Sequence, residues 1–174
     1  MTGPNTADQH RRDLLAVPPI ADFIAAATSA RTGVVVFRQA STGTSGTVVL
    51  AAAAIAKAAG ERLVIITSPT MAKDLVDLAR TEVGLEVTSV TPQSLLRHPD
   101  RAVGAILAVV VHHIGEHTRT GWAITDAFER APGGVLLATS GFAEAATTAP
   151  MRVLGAPVLD LNRDGFLDAG TQRQ

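Results

Sequence analysis

Short apolar runs rich in β-branched residues alternate along this chain with stretches whose apolar positions recur at helical spacing. The runs lie at Val34 to Phe37, Arg62 to Thr67, Leu85 to Val90, Ala105 to Val111, Gly134 to Ala138 and Pro157 to Leu161, and each predicts a strand. Helices are predicted from Pro18-Pro19 through Ala30, with the prolines tolerated in the first turn, and near Val48 to Ala59, Met71 to Thr81, Pro92 to Arg97 and Trp122 to Arg130. Strands that are apolar throughout, separated by helices, are the pattern of a parallel sheet covered on both sides. The expected fold class is therefore α/β: a doubly wound, mainly parallel sheet with helices on both faces. Neither repeats nor a low-complexity linker interrupts the pattern. We expect one domain over residues 13–170, a polar disordered tail at 1–12 and a flexible end at 171–174.

Composition narrows the partners more than the chemistry. A chain of 174 residues with 47% hydrophobic content can bury one substantial core, and because only 3% is aromatic that core must be built from Ala, Val, Leu and Ile. The formal charge of −1 provides no global field to draw the protein to nucleic acid or an anionic membrane, so any such contact would need a local patch. With no cysteine there is neither a disulfide nor a thiolate metal site, which suits a reducing cytoplasm, the expected location. The longest apolar runs, around Val48 to Ala59 and Ala102 to Val111, are too short to span a bilayer. The single tryptophan, Trp122, is expected in the core. Asp160, Asp164 and Asp168 read as exposed turn residues.

The most informative segment is Ala40-Ser41-Thr42-Gly43-Thr44-Ser45-Gly46-Thr47, which follows the Val34 to Phe37 strand and runs into an alanine-rich helix expected to begin near Thr47. It has the layout of a phosphate-binding loop, in which backbone N–H groups at a helix N-terminus cradle phosphates, a lysine reaches the outer phosphates and a hydroxyl holds magnesium. Gly46 stands where that lysine belongs, and Thr47 alone keeps its type. Loss of the lysine charge removes a large electrostatic term from phosphoryl transfer. The degenerate nucleotide site comprises Thr42, Gly43, Thr44, Ser45, Gly46 and Thr47; the alternative is an ordinary Ser/Thr/Gly turn between strand and helix.

Further short motifs follow in order: Val64-Ile65-Ile66-Thr67-Ser68-Pro69-Thr70, then Thr91-Pro92-Gln93-Ser94-Leu95-Leu96, the strand Ala105 to Val111, and Leu136-Leu137-Ala138-Thr139-Ser140. With the 40–47 segment, these resemble motifs I, Ia, Ib, II and III of the first RecA-like domain of superfamily two helicases (DEAD/DEAH-box and restriction-type), over roughly 20–170. The resemblance implies a RecA-like P-loop NTPase fold. It also implies that Pro69, Thr70, Lys73, Thr91 and Pro92 would stand where the related helicases grip single-strand phosphates through helix N-termini. Where motif II would supply two carboxylates, for magnesium and for the attacking water, this chain reads His112-His113-Ile114-Gly115-Glu116-His117. The second RecA-like domain of a helicase is not in this sequence.

His113, Glu116 and His117 formally fit the H-x-x-E-H zinc-protease pattern. Two histidines four apart share a metal only on one helix face, whereas Gly115 and the following Thr118 to Gly121 predict a loop, so no metal site is expected. The expected function is a catalytically inactive helicase-like domain, a pseudo-ATPase, acting as a structural or protein-interaction subunit; an assembly of phage or mobile-element type is one setting for it. It is expected to self-associate or bind a protein partner, to need no cofactor and to make no membrane contact. The alternative is a non-hydrolysing nucleotide- or single-strand-binding module with weak ATP and magnesium affinity. A third, less favoured alternative is a metal-dependent enzyme using the His112–His117 loop.

Overall fold

Two five-residue strands that are buried at every position, Leu63–Thr67 (β2), apolar up to its final threonine, and Ile106–Val110 (β4), apolar throughout, form the middle of the protein. The computed structural model describes residues 9, 12–13, 15–37, 42–82, 84, 86–111, 118–139 and 155–161. Beside these two strands lie Thr32–Phe37 (β1), Val87–Val90 (β3), Gly134–Thr139 (β5) and Val158–Asp160 (β6), in the spatial order β3-β2-β4-β5-β1-β6. Every pairing is parallel, for example Ile65 with Ala108 and Val35 with Leu137. A parallel sheet is stable only when both faces are covered, and the helices cover both.

Among the described residues, the helices packed on the sheet are Pro18–Ala30 (α1), Thr42–Ala59 (α2), Pro69–Glu82 (α3), Pro92–Arg97 (α4) and Arg119–Arg130 (α5), with a 3₁₀ turn at Pro99–Ala102. Side-chain alternation divides the core in two. Val35, Leu63, Ile65, Ala108, Val110 and Leu137 pack under α1, α2 and α3. Val34, Val64, Ile66, Leu107, Val109 and Leu136 pack under α4 and α5. The division follows from connectivity. Crossovers of a single handedness place links running one way along the sheet on one face and returning links on the other. The β1-α2-β2 and β2-α3-β3 links run toward the β3 edge; β3-α4-β4 and β4-α5-β5 return.

Helix α2 is buried from Val48 through Ala53 and again at Ile55 and Ala56. It lies between the sheet and helices α1 and α3, and its alanines let backbones approach where larger side chains would hold them apart. Each large side chain it does carry, such as Leu50, stabilises by about 1.5–3 kcal/mol on burial. At the start of β1, a Cβ on Gly33 would lie 2.8 Å from the Phe23 ring, so the missing side chain is what lets α1 seat its aromatic directly on the strand.

The strands occupy the expected positions to within one or two residues at their ends, with Leu63 rather than Arg62 opening β2 and Val87 rather than Leu85 opening β3. Three expectations are corrected. The helix after β1 starts at Thr42, not near Thr47, because burial of Thr44, Ser45 and Thr47 outweighs the weak helix propensity of the segment. Trp122 is 61% exposed rather than in the core, since it lies on the side of α5 opposite Ile124 and Ala127, which face the sheet. Asp160 is the last residue of β6 and half-buried, not an exposed turn residue.

Candidate functional site

In an all-parallel sheet every strand ends at the same edge, so β1, β2, β3 and β4 deliver the starts of α2, α3, α4 and α5 to one rim of the molecule. In open α/β sheets that carboxyl rim is where ligands bind. The registers fix its levels: Val36 lies beside both Ala138 and Asp160, Thr67 beside Val110, and Ile66 beside Val90. The rim therefore holds the start of α2 after β1, the end of β5 and the carboxylate of Asp160.

The six residues of the degenerate loop begin α2. Thr42 and Gly43 open the helix, while Thr44 and Thr47 are 0% exposed, Ser45 is 7% exposed and Gly46 is buried with them. The first-turn N–H groups of a helix have no partner within the helix, and its dipole puts partial positive charge there. That feature of a phosphate site is present. Gly46, by contrast, lies a turn inside a helix packed on the sheet. The remaining parts of the anticipated site, residues 38–41 and 112–117, including His113, Glu116 and His117, lie outside the described residues, as do Asp164 and Asp168. Among the described residues no cluster of three or more His, Asp or Glu is placed to hold a metal ion.

Pro69, Thr70 and Lys73 follow β2 at the start of α3, and Thr91 and Pro92 follow the neighbouring strand β3 at the start of α4, with α3 on one face of the sheet and α4 on the other. With three strand spacings separating β2 from β1 and four separating β3 from it, the two groups stand roughly 14 and roughly 19 Å along the rim from the α2 start. Each has a local role. Pro69 and Pro92 occupy first helical positions, which require no N–H donor. The Thr70 hydroxyl exchanges a hydrogen bond with that of Ser68 at 3.0 Å. The Thr91 hydroxyl accepts from the Ser94 amide at 3.1 Å, capping α4. Lys73 donates to Asp77 at 2.8 Å, four residues along the exposed side of α3. The hydrogen bond from Lys73 holds the Asp77 carboxyl below its ordinary value, and Asp77 raises Lys73 in turn. Arg101 donates to the Ser94 hydroxyl at 3.0 Å, whereas Arg97 is exposed in the last turn of α4.

Two features were not singled out as site elements from the sequence. Asp160 becomes a rim residue only because β6 pairs with β1; the apolar positions Leu159 and Leu161 flanking it were the available signal. Arg62, just before β2, donates to the carbonyls of Arg101 and Val103 at 2.9 and 2.7 Å, tying the 3₁₀ turn to the opposite end of the sheet. No helix among the described residues is long and apolar enough to cross a membrane. No protein-family description, curated protein or solved structure matches this chain.

Proposed function

We propose that this chain is a catalytically inactive helicase-like domain, a pseudo-ATPase that serves as a structural or protein-interaction subunit. The observation that supports the reading best is the burial of Gly46 inside a helix that has already begun at Thr42. Where a phosphate-binding loop carries its lysine, this chain has neither a charge nor an exposed position. Without that charge, and with histidines in place of the motif II carboxylates, transition-state stabilisation for phosphoryl transfer is missing while the core is intact. Core packing and active-site residues are separable, so a fold can persist after its chemistry has gone. The engagement of Thr70, Thr91 and Lys73 in helix starts and a surface pair supports a structural role for the second half of the rim.

Calorimetric titration of the whole chain with ATP and magnesium, with phosphate release followed on the same samples, tests the proposal. Neither binding nor turnover is expected; magnesium-dependent phosphate release that disappears on mutating Thr47 would overturn it. One observation favours the second reading, a non-hydrolysing nucleotide- or single-strand binder: the α2 and α3 starts present helix N-termini along one rim. Oligonucleotide binding whose affinity falls steeply with salt would promote that reading over the first.

A further inference from the structure

Helix α5 turns Gly121, Ala123, Ile124, Ala127 and Phe128 inward and leaves a second stripe facing away from the protein. Along that stripe Arg119, Trp122, Asp126 and Glu129 recur at spacings of three, four and three, the repeat that keeps side chains on one side of a helix. Trp122, at 61% exposed, is the most exposed large apolar side chain among the described residues. Charge is ordered around it: the cation Arg119 stands at the N-terminal end, and the carboxylates of Asp126 and Glu129 stand toward the C-terminal end. Arg119 and Glu129 make no ion pair among the described residues, while Asp126 is bridged to Arg130 at 2.8 Å.

We propose that this stripe is a self-association surface, on which a second copy of the chain packs its own α5 antiparallel to the first. A two-fold axis through the middle of the helix, near Ile124, maps the stripe onto itself in reverse. Arg119 of each copy then faces Glu129 of the other at both ends of a contact about 15 Å long. Trp122 of each copy lies against the Asp126–Arg130 pair of the other. Its ring face meets the guanidinium, and its indole N–H meets the carboxylate. The match holds in the antiparallel sense alone. A parallel pairing sets Arg119 against Arg119 and Glu129 against Glu129, a repulsive arrangement. This surface belongs to α5 alone and does not depend on what the carboxyl rim binds. One helix face per copy is smaller than a standard interface, so the dimer is weak and its population changes with concentration.

The chain has one tryptophan and no tyrosine, so its intrinsic fluorescence reports this contact directly. The full-length protein would be followed by sedimentation and by tryptophan emission from about 1 μM to about 1 mM, a range that brackets a weak dimer. Expected is a doubling of mass accompanied by a shift of emission to shorter wavelength. Arg119→Glu and Glu129→Arg, each checked for an unchanged fold by circular dichroism, should separately raise the dissociation constant about tenfold or more, and the double variant should restore it. Trp122→Ala should weaken the dimer by a similar factor, read by sedimentation. A protein that stays monomeric throughout overturns the proposal, as does a dimer whose strength neither single charge reversal changes or which the double reversal fails to restore.

Discussion

Gly134 opens β5 at φ 143, beside the backbone of β4, and Gly134→Ala is the substitution from which the packing of the sheet centre can be tested most directly. A Cβ there would lie 2.1 Å from the carbonyl oxygen of Leu107 and 2.7 Å from its amide nitrogen. Backbone cannot rotate away as the tip of a side chain does, so β4 and β5 would have to separate by about 1 Å to reach contact distance. That opening strains the hydrogen bond that crosses the gap, from Leu107 N–H to the Gly133 carbonyl at 3.0 Å. It contributes about 1 kcal/mol, and holding an L-residue at this φ costs a further 1–3 kcal/mol or so, giving about 2–4 kcal/mol in all. For a domain of this size the midpoint of thermal unfolding should fall by roughly 4–16 °C. Gly104 is the control: it has φ 65 but open space around it, so Gly104→Ala should cost about 1 kcal/mol, or roughly 2–4 °C. Thermal melts of the two variants by circular dichroism make the comparison. A Gly134→Ala protein that melts no lower than Gly104→Ala would refute the close approach of β4 and β5 from which the magnitude is derived.

Phe23→Ala removes the ring seated on Gly33 and should destabilise by about 3–5 kcal/mol in urea unfolding; a loss below about 1 kcal/mol would mean that α1 is not docked there. Thr67 is 1% exposed and its hydroxyl has no hydrogen-bond partner among the described residues, so Thr67→Val should be neutral or stabilising by about 1 kcal/mol; marked destabilisation in the same assay would reveal a bound partner for the hydroxyl. Thr91→Ala should lower stability by about 1 kcal/mol through loss of the α4 cap, and Thr91→Ser should recover most of it. The Asp77 carboxyl, measured by NMR titration, should ionise below 3.8 and move toward that value in high salt or in Lys73→Ala. Because its folded value is depressed, whatever the pair contributes is complete above the ordinary carboxylate range and fades as pH falls through the lower folded value.

Six strands and five helices among the described residues were legible because their signals are local. β2 and β4 are buried at every position, so continuous apolar runs mark them, and α3 and α5 carry one apolar side, so helical spacing marks them. Parallel pairing was legible too, since strands apolar on both sides need covering helices. At the site, the residue types of the α2 start and their mismatch with a working phosphate loop were readable, as were Pro69 and Pro92 as helix starts. The conformation of 42–47 was not. Two glycines and three threonines in six residues disfavour a helix by propensity, and the burial that overrides it comes from packing against strands and helices distant in sequence. Trp122 departs from its residue-type expectation for a related reason: residue type favours the core, but position on the helix decides, and α5 is oriented by Ile124, Ala127 and Phe128 together.

The sequence by itself determined which segments are strands and helices, that the sheet is parallel, and that the 40–47 segment carries no lysine, because these depend on the identity and spacing of neighbouring residues. Only the tertiary structure decided the order β3-β2-β4-β5-β1-β6, the placement of Asp160 beside the end of β1, the burial of Gly46 and the exposure of Trp122. Those depend on which surfaces meet when all the elements cover one sheet, and no local pattern carries that information.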